Sequence, residues 1–127
     1  MTILLDTSAL IYWTIEPDAL TQIARTTIES ANRLLVSSIS IWEIGIKVRK
    51  GNLRLHGSLD EFVTLLEQAE RLELLPVTTD IWVKTVRLDW AHRDPADRVI
   101  VATAMLHGCP LVTSDRAMRQ YYSHSVW

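Results

Sequence analysis

Cysteine occurs once, at Cys109, so no disulfide closes within the chain and a reducing compartment suits it. Set between Gly108 and Pro110 ahead of an apolar run, Cys109 reads as a small buried side chain rather than a reactive thiol. No apolar run approaches the ~20 residues of a membrane-spanning helix. The opening stretch MTILLDTSALIYW lacks a basic segment and carries Asp6 in its middle, which predicts no signal peptide; the cytoplasm is the expected compartment. An excess of one charge is missing too. Thirteen Lys and Arg stand against fifteen Asp and Glu, a formal net charge of −2. No overall basic field marks a nucleic-acid binder, although a local patch stays compatible with this balance. There is no linker, low-complexity tract or repeat. No His-x-His, His-x₃-His or cysteine pair offers a nitrogen or sulfur metal site.

What is present suits one domain with one sizeable core: 127 residues, of which 48% are hydrophobic and 22% charged. Short apolar runs alternate with longer amphipathic ones. Ile3-Leu4-Leu5, Leu34-Leu35-Val36, Leu74 to Val77 and Leu111-Val112-Thr113 read as buried strands, with a stub of a fifth at Val126-Trp127. Residues 7–13 read as helix or loop, and helices are predicted from Pro17 or Asp18 to about Asn32 and across SISIWEIGIKVRK, stopped by Gly51. Further helices are expected from Ser58 to about Glu70, from Thr79 or Asp80 to about Ala91, from Pro95 to about His107 and over 116–122. This alternation predicts an α/β fold with a parallel sheet of four or five strands, covered by helices on both faces, in a single domain over 1–127.

Four acids occupy one kind of place in that scheme. Asp6 follows the first strand, and Asp115 lies two residues beyond the apolar part of the fourth. Glu43 falls in the first turn of the helix after the second strand, and Asp97 in the first turn of the helix that leads into the fourth. The carboxyl ends of parallel strands line one edge, where ligands bind at the point of strand-order reversal. With the first strand between the second and fourth, Asp6 and Asp115 become neighbours. Each acid also has a plain structural reading. Asp6 and Asp115 suit helix N-caps, Ser40-Ile-Trp-Glu43 fits the capping-box pattern, Glu43 can pair with Lys47, and Asp94-Pro95-Ala96-Asp97 gives cap, N1 proline and N3 acid. Asp97, however, shares its helix face with Ile100, Val101 and Ala104, so it tops a buried stripe, and Asp94 already suffices as a cap. Four carboxylates in one cleft repel by about 4 kcal/mol per pair at ~4 Å and an effective dielectric of about 20. Either some stay protonated or a hard cation sits among them, and an all-oxygen ligand set suits Mg²⁺ or Mn²⁺. A carboxylate-held ion of that kind suits phosphodiester hydrolysis.

ILLDTSALIYW, VSSISIWEIGIKVRKGNL, HRDPADRVIVATA and LVTSD, in this order, resemble the PIN-domain ribonucleases, and most of all the VapC toxins of type II toxin–antitoxin pairs. The resemblance spans nearly the whole chain. It implies a single PIN-like domain and metal-dependent RNA cleavage, with Asp6, Glu43, Asp97 and Asp115 as the catalytic acids, Asp6 and Asp97 as metal ligands, Mg²⁺ or Mn²⁺ as cofactor and Asp94 as the cap. It also implies a homodimer and an antitoxin partner. Ala96 departs from the bulkier apolar residue frequent in similar sequences, which touches packing and not the acids.

Around the acids, Thr7, Ser8, Thr113 and Ser114 suit turn and cap hydroxyls, or groups that hold water or a carboxylate by hydrogen bonds. RNA approaching an anionic site needs flanking cations. Arg98 and Arg116, next to Asp97 and Asp115, are the expected phosphate contacts, with Arg93 and Arg119 nearby; Lys50 and Arg54 read as a solvated face. Trp42 and Trp82 are expected in the core. Tyr12, Trp13 and Trp90 suit either the core or a partner groove, and His92 a structural or RNA-contacting role. A catalytically silent PIN-like interaction module is the alternative, which the presence of all four acids disfavours. A phosphoacceptor or aspartyl-phosphatase reading fails, because the acidic pair and late lysine of receivers are missing and Ser8 stands where the phosphatase wants a second aspartate.

Overall fold

The computed structural model describes every residue, Met1–Trp127. Five strands, β1 (Thr2–Leu5), β2 (Arg33–Ser37), β3 (Leu72–Leu75), β4 (Leu111–Val112) and β5 (Ser125–Val126), form one sheet in the order β3-β2-β1-β4-β5. All four pairings are parallel. β1 therefore lies at the centre, with the strand order reversing on either side of it. The helices are α1 (Thr7–Thr14), α2 (Gln22–Ser30), α3 (Ile39–Arg49), α4 (Leu59–Gln68), α5 (Thr79–Arg87), α6 (Pro95–His107) and α7 (Arg116–Tyr121). The α/β class, the parallel sheet and its five strands agree with the sequence expectation.

Strand side chains alternate between faces, and the core divides accordingly. Ile3, Leu5, Leu34 and Val36 point to one side, where they join Ala9, Leu10, Ala24 and Ile28 of α1 and α2. Leu4, Leu35 and Leu111 point to the other, where they meet Val99, Ile100 and Ala104 of α6. Truncating any of these fully buried leucines to alanine costs about 2–5 kcal/mol.

Element ends differ from expectation where distant groups intervene. Residues Pro17–Ala19 form only a 3₁₀ turn; Leu20 is extended, and Thr21 caps α2 by accepting from the Ala24 amide at 3.0 Å. β3 runs two residues earlier than predicted and ends before Pro76, a residue that cannot donate to a ladder. Helix α5 stops at Arg87 rather than near Ala91. Trp42 and Trp82, expected in the core, are 62% and 46% exposed. Trp42 lies two residues from both buried Ser40 and buried Ile44, and so on the opposite face of α3; Ile81 and Thr85 are what α5 buries instead. Helix α6 matches its predicted span, with Asp94 as N-cap, Pro95 in the first turn and Gly108 in the left-handed conformation at its end. No helix is long and apolar enough to cross a membrane.

Candidate active site

The carboxyl end of β1 delivers Asp6 to the sheet rim. Its amide continues the ladder to the Val112 carbonyl of β4 at 3.1 Å, and its side chain then caps α1, with Oδ1 accepting from the Ala9 amide at 2.7 Å. Oδ2 accepts from the Thr113 hydroxyl at 2.5 Å. Asp6 is only 3% exposed. Burial pushes its carboxyl up to about 7; the bonds from Thr113 and Ala9 pull downward, and the charges of Asp97 and Glu43 push up again.

The neighbouring hydroxyls tie the other elements to this point. The Thr113 oxygen also accepts from the Asp115 amide at 3.0 Å, and Asp115 caps α7 by accepting from the Met118 amide at 2.9 Å. On the opposite flank, the Thr7 hydroxyl donates to Glu43 Oε1 and lies 2.8 Å from the Ser40 hydroxyl. With its single proton given to Glu43, Thr7 receives the Ser40 proton, so the two hydroxyls line up toward the carboxylate. Ser40 is therefore no helix cap. α3 starts at Ile39 behind Ser38, Ser40 is fully buried, and Glu43 sits in the second turn rather than at the third position. The capping-box reading of Glu43 gives way to this tertiary link. Burial raises its carboxyl above the ordinary glutamate range, against the Thr7 bond, and Asp97 and Asp94 raise it further.

Asp97 projects from the first turn of α6, half-buried. Burial raises its carboxyl, the His92 hydrogen bond opposes this, and Asp94 and Asp115 add to the rise. His92 Nε2 lies 2.7 Å from Asp97 Oδ2. The His92 ring stacks on Trp90 at 4.5 Å between centroids, and Trp90 stacks on Tyr121 of α7 at 4.8 Å. Arg98 turns away from the rim. Its guanidinium donates to the carbonyls of Trp90 at 2.5 Å, His92 at 3.1 Å, Thr85 at 2.9 Å and Leu88 at 3.1 Å. The expected phosphate contact is thus committed to backbone, whereas Arg116 is exposed.

The charges of the predicted acids act on one another, while Asp6 and Asp115 stand outside the tightest grouping. Asp6 feels Asp97 and Glu43, and Asp97 feels Asp115. One ligand oxygen each from Glu43, Asp94 and Asp97 lies within 4.8 Å of the others. Asp94, read from sequence as a cap alone, both caps α6, accepting from the Ala96 amide at 2.9 Å, and joins this trio. Its position three residues before Asp97 was the available signal. Thr7, read as a group that could hold a carboxylate, holds Glu43; the bond from His92 to Asp97 carries no such local mark. No arginine or lysine makes a salt bridge to any of these acids; Arg33 pairs with Glu73 instead, and the only imidazole partner is His92, hydrogen-bonded to Asp97. An all-oxygen cluster of two half-buried acids and one exposed acid, with no arginine or lysine paired to it, fits a hard divalent cation.

A separate apolar cleft of about 500 Å³ lies between Trp13 and Ile15 on one side and Leu55, Phe62 and Leu65 on the other, and none of the four acids lines it.

The family model for the PIN domain matches residues 3–123. Ribonuclease VapC22 of Mycobacterium tuberculosis is 34% identical over 121 residues, which is 94% of this chain and 92% of that protein. Among solved structures, a toxin–antitoxin complex from Klebsiella pneumoniae superposes with a TM-score of 0.69 at 19% identity, covering 98% of this chain and 96% of that one. VapBC2 from Rickettsia felis, bound to a DNA fragment from its promoter, gives 0.68 at 18% identity over 95% and 93%. VapC20 of M. tuberculosis, a sarcin–ricin loop cleaving toxin, gives 0.67 at 18% identity over 93% of each chain. At these identities the structures speak for the fold.

Proposed function

The chain belongs to the PIN-domain family, and from that premise we propose that it is a metal-dependent endoribonuclease, the toxin of a toxin–antitoxin pair. The observation that carries this reading is the trio of Glu43, Asp94 and Asp97, with ligand oxygens within 4.8 Å of one another, flanked by Asp6 and Asp115, whose charges act on it, with no arginine or lysine salt bridge to any of the five. Kinship with a ribonuclease at 34% identity over 94% of the chain supports the activity. The toxin–antitoxin complex among the structural neighbours supports an antitoxin partner, and a homodimer is what the family resemblance implies.

In this reading Asp6 and Asp97 hold the divalent ion, Mg²⁺ or Mn²⁺, directly or through water, and Glu43, Asp94 and Asp115 complete the negative pocket. Such an ion, when bound, neutralises the carboxylates, activates a water and stabilises the leaving oxygen of a phosphodiester. The chain's own contribution is orientation. Thr113 fixes Asp6 against the Asp115 loop, Thr7 fixes Glu43, and His92 fixes Asp97. Arg116, exposed at the start of α7 beside Asp115, is placed to meet RNA phosphates. The cytoplasm is the compartment in which this activity meets RNA.

The test is cleavage of RNA by the purified protein. Cleavage with Mg²⁺ or Mn²⁺ is expected, together with loss of activity in Asp6→Ala and Asp97→Asn while the circular dichroism spectrum is kept. Full activity in excess EDTA rejects the reading.

A further inference from the structure

Seven residues, Leu88 to Asp94, join α5 to α6 without regular structure. Their carbonyls have no ladder to accept into, and the last carbonyls of α5 are open as at any helix end. One side chain collects them. Arg98 Nη2 takes Thr85 and Leu88 at the end of α5, and Nη1 takes Trp90 and His92 further along. The planar guanidinium, with donors fixed in a fork, suits four acceptors in an arc. This grip also accounts for the early end of α5: the chain leaves the helix where Arg98 offers replacement donors.

His92 is held twice by consecutive residues of α6. Arg98 binds its carbonyl at 3.1 Å, and Asp97 bonds its ring at 2.7 Å. The Trp90–Tyr121 stack closes the third side. We propose that Arg98 is a positioning residue for the acid site, acting through His92: it shapes the 88–94 segment so that the imidazole meets Asp97 Oδ2 and fixes the carboxylate's orientation toward Glu43 and Asp94. The proposal rests on the reading of the acid cluster as a metal-dependent nuclease site. It makes Asp97 and Arg98 one device, the first residue supplying the ligand and the second the frame that aims it. It also distinguishes Arg98 from Arg116, whose charge faces solvent.

The experiment is a double-mutant cycle on the full chain. Arg98→Lys keeps the charge but offers a compact ammonium that cannot span four carbonyls. His92→Ala removes the group that Arg98 is argued to act through. Trp90→Leu, which leaves the Trp90 carbonyl in place, unseats the ring without touching Arg98 and serves if Arg98→Lys fails to fold. Three readouts are taken: Mn²⁺ affinity by electron paramagnetic resonance, kcat and KM for RNA cleavage, and the nitrogen-15 signal of the His92 ring in metal-free protein. The expected outcome is that Arg98→Lys and Trp90→Leu shift the His92 ring signal, weaken Mn²⁺ binding by about tenfold and lower kcat with KM little changed. In the His92→Ala background, Arg98→Lys then adds less than twofold. Equal losses from Arg98→Lys with and without His92, or an unchanged ring signal, overturn the proposal. A raised KM with unchanged kcat overturns it in favour of a phosphate contact. If the wild-type protein binds no Mn²⁺ and cleaves no RNA, the nuclease reading fails by itself, while the ring signal still decides whether Arg98 and Trp90 position His92.

Discussion

Ser40-Ile-Trp-Glu43 and Ser58-Leu-Asp-Glu61 share one local pattern and serve different ends. At Ser58 the pattern does what its chemistry favours in isolation: the Ser58 hydroxyl accepts from the Glu61 amide at 3.0 Å, Glu61 accepts from the Ser58 amide at 3.3 Å, and α4 begins there on an exposed surface. At Ser40 the helix has already started. Its hydroxyl turns inward to Thr7, which itself donates to Glu43, and Asp97, Asp94 and Lys47 are the charges that act there. The same residues become a cap or a site member according to where the sheet sets them. Ser40 follows β2, one strand from the centre, and lands beside the carboxyl end of β1. Ser58 lies in a connection remote from that rim.

Exchanging the two glutamates for glutamine breaks the symmetry most sharply. Glu43→Gln is expected to lower RNA cleavage by more than ~100-fold, beyond the loss typical of a residue that merely supports a metal ligand. Glu61→Gln leaves cleavage unchanged. The melting temperature of metal-free Glu43→Gln stays level or rises, because the amide oxygen still accepts from Thr7 and one repelling charge is gone. Equal activity of the two variants, measured on one RNA substrate, removes Glu43 from the site.

A second difference appears with pH. Glu43, Asp97 and Asp6 all have carboxyls raised by burial, Asp6 to about 7, whereas unfolded carboxylates titrate near 4. The folded state therefore keeps protons that the unfolded chain has released, for Asp6 between about pH 4 and 7. The stability these groups contribute is whole below about pH 4 and is lost as pH rises through their folded values, with an upper limit for Asp6 of about 4 kcal/mol. Denaturant melts in EDTA at pH 5 and pH 8 check this: wild type loses more stability between the two than Asp6→Asn does. Saturating Mg²⁺ or Mn²⁺ at pH 8 restores what is lost, because the ion binds only the folded site. An identical pH slope in both proteins defeats the assignment.

Smaller still is the effect of the hydroxyls that aim the acids. Thr7→Val leaves Glu43 without its donor and Ser40 without its acceptor, and a loss in kcat of about tenfold is expected. The parallel change in the remote pattern, Ser58→Ala, leaves kcat untouched.

These contrasts mark how far sequence carries. Helix α6 was legible to the residue because every determinant is local: Asp94 and Pro95 at its start, the stripe of Asp97, Ile100, Val101 and Ala104, and Gly108 at its end. The neighbourhood of Asp6 and Asp115 was legible from strand ends, since a parallel sheet with β1 central brings them to one rim; Glu43 and Asp97 were placed by helix starts and by the family resemblance. The end of α5 was not, because the group that terminates it, Arg98, lies ten residues beyond Leu88 and acts through space. The capping-box alternative for Glu43 fails because its partner, Thr7, is 36 residues away. Trp42 was assigned to the core because apolar character alone does not say which face of α3 meets the sheet. Local patterns report what a segment can do unaided, and the topology decides whether it does so.

The least perturbing change tests that statement from its quiet side. Ser58→Ala removes one side-chain acceptor from an exposed helix start and leaves the Glu61 amide without it, while the Glu61 carboxylate keeps the backbone amide at position 58. Loss of an N-cap costs about 1 kcal/mol, and for a domain of this size that lowers the melting temperature by roughly 3–5 °C. Because α4 packs mainly through Leu66, with Phe62 partly buried beside it, the fold itself survives. Ser40→Ala, by contrast, deletes a fully buried hydroxyl at the far end of the Thr7–Glu43 line and removes no cap. Thermal melts with parallel cleavage assays separate the two serines: Ser58→Ala moves stability alone, and Ser40→Ala moves kcat. A fall in kcat on Ser58→Ala at temperatures well below its melt means that α4 reaches the acid rim through contacts the fold does not display, and the division between cap and site then fails.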